Sequence, residues 1–180
     1  PPPHSDDWWK SEEWRAECSE GKRLVRSLRV NPRSSETRPA AVRALILYPM
    51  NALVEDQLTR LRRALDSDAM RDWYRRARAG NRFYFGRYNS ETPVPGHEHR
   101  KPDRRGVRHP DEYRINRLIT SLKSMEASAT AAEQYAVENG DDEAVSLFPR
   151  LDGSEMRCRW DMQDAPPDIL ITNFSMPSVM

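Results

Sequence analysis

The sequence predicts an α/β fold built on a parallel sheet with flanking helices and a long, largely helical or irregular insertion. Two apolar runs, within 42–48 and 168–172, predict the sheet, and an amphipathic helix pattern follows the first of them. The polar stretch between the runs predicts the insertion. Charged residues make up 32% of the 180 residues and hydrophobic residues only 37%, so we expect part of the chain to lie outside a packed core.

Residues 1–40 are predicted to form a polar surface segment and loop. Trp8, Trp9 and Trp14 lie among acidic residues, Leu24–Val30 alternates like a short exposed strand, and 31–39 is rich in Pro and Ser. The chain begins with Pro and ends directly after a strand-like run, so we expect it to be a piece of a longer protein.

Residues 41–88 are predicted to form the first α/β part. The apolar run Val42–Tyr48 ends at Pro49 and is typical of a strand buried on both faces of a parallel sheet. A helix over Ala52–Leu65 follows, because four apolar residues recur at helical spacing: Val54, Leu58, Leu61 and Leu65.

A second short helix and a second strand complete this part. Asp68 is predicted to cap a helix that runs through Arg78 and closes at Gly80. The aromatic run Arg82–Gly86 predicts the strand.

Residues 89–165 are predicted to be the insertion. It comprises a loop to Pro110, a long helix from Asp111 to about Asn139, and an irregular acidic stretch over 141–165 in which Trp160 is the one anchor. Residues 166–180 are predicted to hold the last strand and a helix start. We expect the two apolar strands to be parallel near-neighbours and the insertion to lie outside their sheet.

The charge is segregated along the chain, although the net charge is only +1. Residues 58–110 contain 13 Arg and one Lys against six acidic residues, about +8, which favours a polyanionic partner. Residues 126–164 sum to about −7, which disfavours one. Two Cys and the lack of a long apolar run predict a soluble, cytoplasmic protein with no membrane partner.

Polar residues follow both apolar strands, at the edge of a parallel sheet where ligands bind. Hydroxyl, amide and backbone donors at this edge suit phosphate contacts, and ordinary capping and turn formation explain the same residues. The histidines His97, His99 and His109 are interpreted as loop residues, because no Cys is near to complete a zinc site.

Three motifs resemble those of superfamily 2 helicases of the DEAD/DEAH-box type. Leu47–Gln57 resembles the first nucleic-acid-contacting motif. Phe85–Tyr88 followed by Thr92-Pro93 resembles the glycine motif, and Pro167–Met176 resembles the strand and threonine motif before the Walker B box. The first motif is also similar to that of large bacterial helicases, including those of antiviral defence islands such as DISARM.

The resemblance implies part of the first RecA-like (P-loop NTPase-type) domain of a DNA helicase that uses ATP and Mg²⁺. It implies DNA and other subunits of a defence complex as partners, and seven nucleic-acid-binding residues: Pro49, Asn51, Gln57, Gly86, Arg87, Thr172 and Asn173. The phosphate loop and the Asp-Glu box are absent, so neither ATP nor Mg²⁺ is expected to bind fully within this chain, and no residue of it is predicted to be catalytic.

Two other function classes stay open. One is a nonenzymatic nucleic-acid or protein-binding module that uses the insertion as its surface. The other is a different α/β enzyme, for which the sequence has no paired acid and base and no nucleophile elbow. For Arg87, an ion pair with an acidic residue of the insertion is the alternative to a phosphate contact.

Overall fold

A three-stranded parallel sheet is the centre of the computed structural model, which describes residues 8–10, 29–49, 52–106 and 108–173. The strands are β1 (Ala44–Tyr48), β2 (Phe85–Tyr88) and β3 (Ile169–Asn173), in the order β1-β3-β2. The prediction that the two apolar runs form neighbouring parallel strands is confirmed, with Ala44 paired to Ile169 and Tyr48 to Asn173. The second predicted strand begins at Phe85 instead of Arg82.

Four α-helices surround the sheet in the described residues: α1 (Ala52–Leu65), α2 (Asp68–Ala77), α3 (Glu112–Asn139) and α4 (Arg159–Asp164). Short 3-10 turns lie at Trp8–Lys10 and Ala144–Leu147. None of these helices combines the length and the apolarity that crossing a membrane requires. The mixed α/β architecture is consistent with part of a RecA-like fold.

The predicted apolar stripe of α1 packs on one face of the sheet. Val54 and Leu58 are fully buried against Phe85 and Ile171. Burying each such side chain contributes about 1.5–3 kcal/mol, so this contact fixes α1 on the sheet.

The prediction that the first strand is buried on both faces is wrong for the described residues. Leu45 and Leu47 on the face opposite α1 are 54% and 41% exposed. β1 is the edge strand of this sheet, and no described element covers its second face.

The bounds of α2 and α3 follow from their caps. Ser67, and not Asp68, caps α2, because its side chain accepts a hydrogen bond from Met70 N while Asp68 is already helical. The long helix predicted from Asp111 is confirmed as α3, with Asp111 as N-cap and Gly140 closing it at φ +66°.

The acidic stretch 141–165 differs most from its prediction. Residues 153–158 and 160–162 are buried, so Trp160 is not the only anchor. Met156 N donates to Phe85 O (2.8 Å) and Phe85 N donates to Ser154 O (3.1 Å), so this segment extends the sheet beyond β2 instead of lying outside it. Two of its acids, Glu155 and Asp161, are buried because arginines from other segments pair with them.

A second core lies within the insertion and includes Trp9 from outside it. It consists of one cluster of buried side chains: Trp9, Val94, Ile115, Leu118, Ile119, Leu122, Cys158 and Trp160. Trp9 is therefore a core residue, contrary to the predicted surface segment. Most of the strand predicted at Leu24–Val30 lies outside the described residues, and Arg29 and Val30 are not in a strand.

Candidate nucleic-acid interface

The carboxyl ends of all three strands meet at one edge of the sheet, because the strands are parallel. Tyr48 pairs with Asn173, and Tyr88 pairs with Thr172. This register brings the exposed Pro49 beside the half-buried Asn173, as predicted from the sequence order. We call this region the carboxyl edge.

Thr172 is fully buried at the carboxyl edge. Its hydroxyl donates to Tyr88 O over 2.6 Å and so ties β3 to β2. A hydroxyl has one proton, so donation to a phosphate would require this bond to open. The role of Thr172 as a phosphate contact stays a prediction.

Gly86 and Arg87 lie on opposite faces of β2. A Cβ on Gly86 would come 2.9 Å from Met162 Sδ and 3.3 Å from Met156 Cβ, so this position packs against the insertion. Arg87 forms ion pairs with Glu55 of α1 and with Glu91, the latter at 3.4 Å. Its charge is thus already matched by two carboxylates, one of them in the predicted insertion.

Of the other two predicted contact residues, the structure describes only Gln57. Gln57 is half-buried within α1. Asn51 lies outside the described residues, so its predicted contact is not placed. The structure therefore brings together three of the seven: Pro49, Thr172 and Asn173.

A tight turn follows β2 at the carboxyl edge. Thr92 Oγ1 accepts from Asn89 N (3.0 Å) and donates to Arg87 O (2.8 Å), and both Asn89 and Thr92 are buried. These bonds satisfy backbone groups where the strand ends and reverse the chain into the insertion.

Arg159 at the start of α4 lies at this edge and was not selected from the sequence. Its guanidinium carbon is 5.3 Å from the centre of the Tyr88 ring, and its Nη2 donates to Asn89 O over 2.6 Å. Its Nε is buried without a hydrogen-bond partner. No local pattern marks Arg159 in the sequence, because it lies in the stretch predicted to be irregular.

The acids close to Arg159 in sequence do not neutralise it. Asp161 and Asp164 both pair with the buried Arg29, and no carboxylate in the described parts of the chain lies within ion-pair distance of Arg159. Burial raises the pKa of Asp161, and Arg29 acts against this rise. Arg159 is therefore an unmatched cation beside Tyr88 and can bind an anion.

The same edge offers little for catalysis. Burial raises the pKa of the Cys158 thiol well above its usual range, so this cysteine stays protonated and unreactive at neutral pH. Among the described residues no three His, Cys, Asp or Glu side chains are grouped so that they could hold a metal ion. The edge is suited to binding.

One known protein resembles this chain in sequence. The chain is 27% identical over 166 residues to Druantia protein DruE of Escherichia coli (strain UMEA 4076-1). The match includes 77% of this chain but only 9% of that protein, so the chain corresponds to a small part of its relative. No protein-family model and no solved structure matches the chain.

Proposed function

We propose that this chain is the nucleic-acid-contacting part of the first motor domain of an ATP-dependent DNA helicase or translocase. The carboxyl edge would hold the backbone of a single strand while ATP hydrolysis drives movement. The observation that carries this proposal is the unmatched Arg159 at the edge where Pro49 and Asn173 also lie. A guanidinium, an amide and backbone donors suit phosphate contacts that are independent of base sequence.

The residues of this chain do not fit ATP or Mg²⁺. The 180 residues contain no G-x-x-x-x-G-K-[ST] loop, and Gly21-Lys22-Arg23 lacks both the upstream glycine and the following hydroxyl. No Asp-Glu box directly follows a strand. In this proposal the nucleotide site lies in other parts of the full-length protein.

ATP hydrolysis tests the motor part of this proposal. We expect the full-length protein to hydrolyse ATP faster when single-stranded DNA is added, and the purified 180-residue chain to show no turnover above a blank. Hydrolysis by the chain alone would refute the assignment of the nucleotide site. A full-length protein without DNA-stimulated hydrolysis would refute the motor.

Single-strand binding tests the edge itself. We expect Arg159→Ala to lower the slope of log K against log salt by about 0.7, the value for one lost phosphate contact, equally for all base sequences. Arg87→Ala should change the slope little, because Glu55 and Glu91 already match its charge. Arg63→Ala is the control, since Arg63 pairs with Glu143. A larger change of the slope for Arg87→Ala than for Arg159→Ala would indicate that Arg87 is the phosphate contact.

A nonenzymatic nucleic-acid-binding module is the second candidate. The observation that favours it is the packing of the insertion, which shares a buried cluster and backbone hydrogen bonds with the sheet. In that case the full-length protein would bind DNA with the same Arg159 dependence but without ATP hydrolysis.

We further propose a role in antiviral defence, with other subunits of a defence complex as partners. The similarity to Druantia protein DruE supports this proposal. The test is phage plating on cells that carry the full-length gene with its neighbouring genes. We expect protection with the wild type and less protection with Arg159→Ala, and equal plating with an empty vector would contradict the role.

A further inference from the structure

A basic hairpin projects from the insertion, formed by the described residues of 98–111. His99 and Pro110 form an antiparallel bridge. Arg100 N donates to His109 O (2.9 Å), and Asp111 N donates to Glu98 O (2.8 Å). At the tip, Gly106 N donates to Asp103 O (2.9 Å) with Gly106 at φ +80°. The hairpin therefore has a defined backbone.

The hairpin concentrates positive charge that is not matched within the described structure. Five exposed cationic side chains lie on it: Arg100, Lys101, Arg104, Arg105 and Arg108. None of the five has an ion-pair partner among the residues that the structure describes. Asp103, the acid between them, lies 3.5 Å from His109 and accepts from Arg105 N.

Three other exposed arginines of the described residues are paired, whereas Arg76 and Arg117 are single exposed arginines without an ion-pair partner among those residues. Arg60 pairs with Asp56, Arg63 with Glu143 and Arg75 with Asp72. Self-repulsion among unmatched cations opposes folding, and an anionic partner would relieve this repulsion.

The base of the hairpin is fixed to the core. Trp160 Nε1 donates to Gly96 O over 2.7 Å, and Arg114 Nη1 donates to His97 O over 3.0 Å. Trp160 directly follows Arg159, so the same turn of α4 holds the hairpin and contributes to the carboxyl edge. An anchored arm loses less conformational freedom on binding than a flexible tail.

The chemistry of the hairpin favours a duplex over a single strand. Single-strand sites combine cations with aromatic rings on which bases stack, and residues 97–111 contain no Phe, Tyr or Trp. A duplex presents about one phosphate charge per 1.7 Å, which suits a compact cluster of cations without aromatic rings.

We propose that the basic hairpin binds the phosphate backbone of double-stranded nucleic acid, next to the single strand held at the carboxyl edge. Only the position of that single strand rests on the proposed function. The affinity of the hairpin for a duplex needs neither ATP nor Arg159.

The test uses the full-length protein and compares Arg104→Gln/Arg105→Gln with the control Arg60→Gln/Arg75→Gln. Both double variants remove two positive charges from exposed side chains, but the control arginines are already paired. The probes are a blunt DNA duplex and an oligothymidine, each titrated over a range of salt concentrations.

We expect the hairpin variant to lower the log K against log salt slope for the duplex by about 1.8, for two lost contacts, and to leave oligothymidine binding unchanged. Arg104→Lys/Arg105→Lys should keep most of the slope, because charge decides the contact. An unchanged duplex slope would overturn the proposal, and so would a loss of binding restricted to oligothymidine. A full-length wild-type protein that binds the duplex as expected but does not hydrolyse ATP would refute the proposed motor function and leave the hairpin proposal intact.

Discussion

Gly86 lies where β2 and the insertion are in close contact. Met162 Sδ and Met156 Cβ occupy the space that a side chain at this position would need. The neighbouring Phe85 exchanges backbone hydrogen bonds with Ser154 and Met156 across the same contact. A glycine here has a packing reason that is independent of its predicted contact with nucleic acid.

We expect Gly86→Ala to destabilise the β2 contact by about 1–3 kcal/mol, because the added methyl group forces Met162 and Met156 to move. Hydrogen exchange of the Phe85 and Met156 amides in the full-length protein measures this change. A double variant with Met162→Ala should cost less than the sum of the two single changes. Normal exchange combined with weaker single-strand binding would instead support the nucleic-acid contact.

At the scale of elements, a buried ion pair joins α1 to the insertion. Arg62 Nε and Nη2 donate to the two carboxylate oxygens of Glu155 over 2.5 and 3.1 Å, and Arg62 Nη1 donates to Leu147 O. Asp66, directly after α1, accepts from Ser154 N at 2.8 and 2.9 Å. The insertion thus helps to hold α1 in place.

We expect Arg62→Met to cost about 3–5 kcal/mol, because it leaves the buried Glu155 carboxylate without its partner. The matched control is Arg63→Met, whose exposed pair with Glu143 should contribute at most about 1 kcal/mol. Urea unfolding of the purified variants compares them. Equal losses for the two substitutions would contradict a buried pair.

The pH dependence of stability tests Glu155 separately. Burial raises the pKa of Glu155 above its ordinary value of 4.5, and Arg62 acts in the opposite direction. A carboxyl whose pKa is raised in the folded state binds more protons there than in the unfolded state. Its contribution to the free energy of unfolding is therefore full below pH 4.5 and is lost as the pH rises through the folded pKa. The free energy of unfolding of the wild type, relative to Glu155→Gln, should fall as the pH rises above 4.5. If the free energy of unfolding relative to Glu155→Gln rises with pH instead, the pKa of Glu155 is lowered in the folded state and this prediction is wrong.

At the scale of the whole molecule, the described residues pack around two apolar cores. The first lies between α1 and the sheet, and the second lies between α3, α4 and the segments around Val94. Met156 and Met162 of the insertion cover the second face of the sheet at Leu170. The predicted insertion therefore has a buried core of its own and also packs against the sheet.

We expect Leu118→Ala to cost about 2–5 kcal/mol, since Leu118 is 1% exposed in the second core. Val137→Ala on the same helix is the control, because Val137 is 86% exposed and its loss should stay within about 0.5 kcal/mol. Thermal unfolding of both variants provides the comparison. A stable Leu118→Ala variant would mean that the insertion does not depend on this core.

The basic segment 58–110 contains both paired and unpaired arginines among its described residues. Counting predicts a polyanion partner, but it does not separate arginines that are paired, such as Arg62 and Arg87, from those of the basic hairpin. That distinction depends on which acids the fold brings near. Because Arg87 is paired in the described structure and Arg159 and the hairpin cations are not, we propose phosphate contacts for Arg159 and the basic hairpin in place of Arg87.

The sequence by itself determined the α/β class, the two apolar strands, α1 and α3, because periodicity and caps act within about one element's length. Only the tertiary structure decided that residues 153–158 and 160–162 are buried, that β1 is half exposed, and that Arg159 lies over Tyr88. These facts depend on residues that are far apart in sequence, 70 positions for Arg159 and Asn89 and 132 for Arg29 and Asp161. Local patterns carry no information about such pairs, since burial of a charged residue is decided by the partner that the fold supplies.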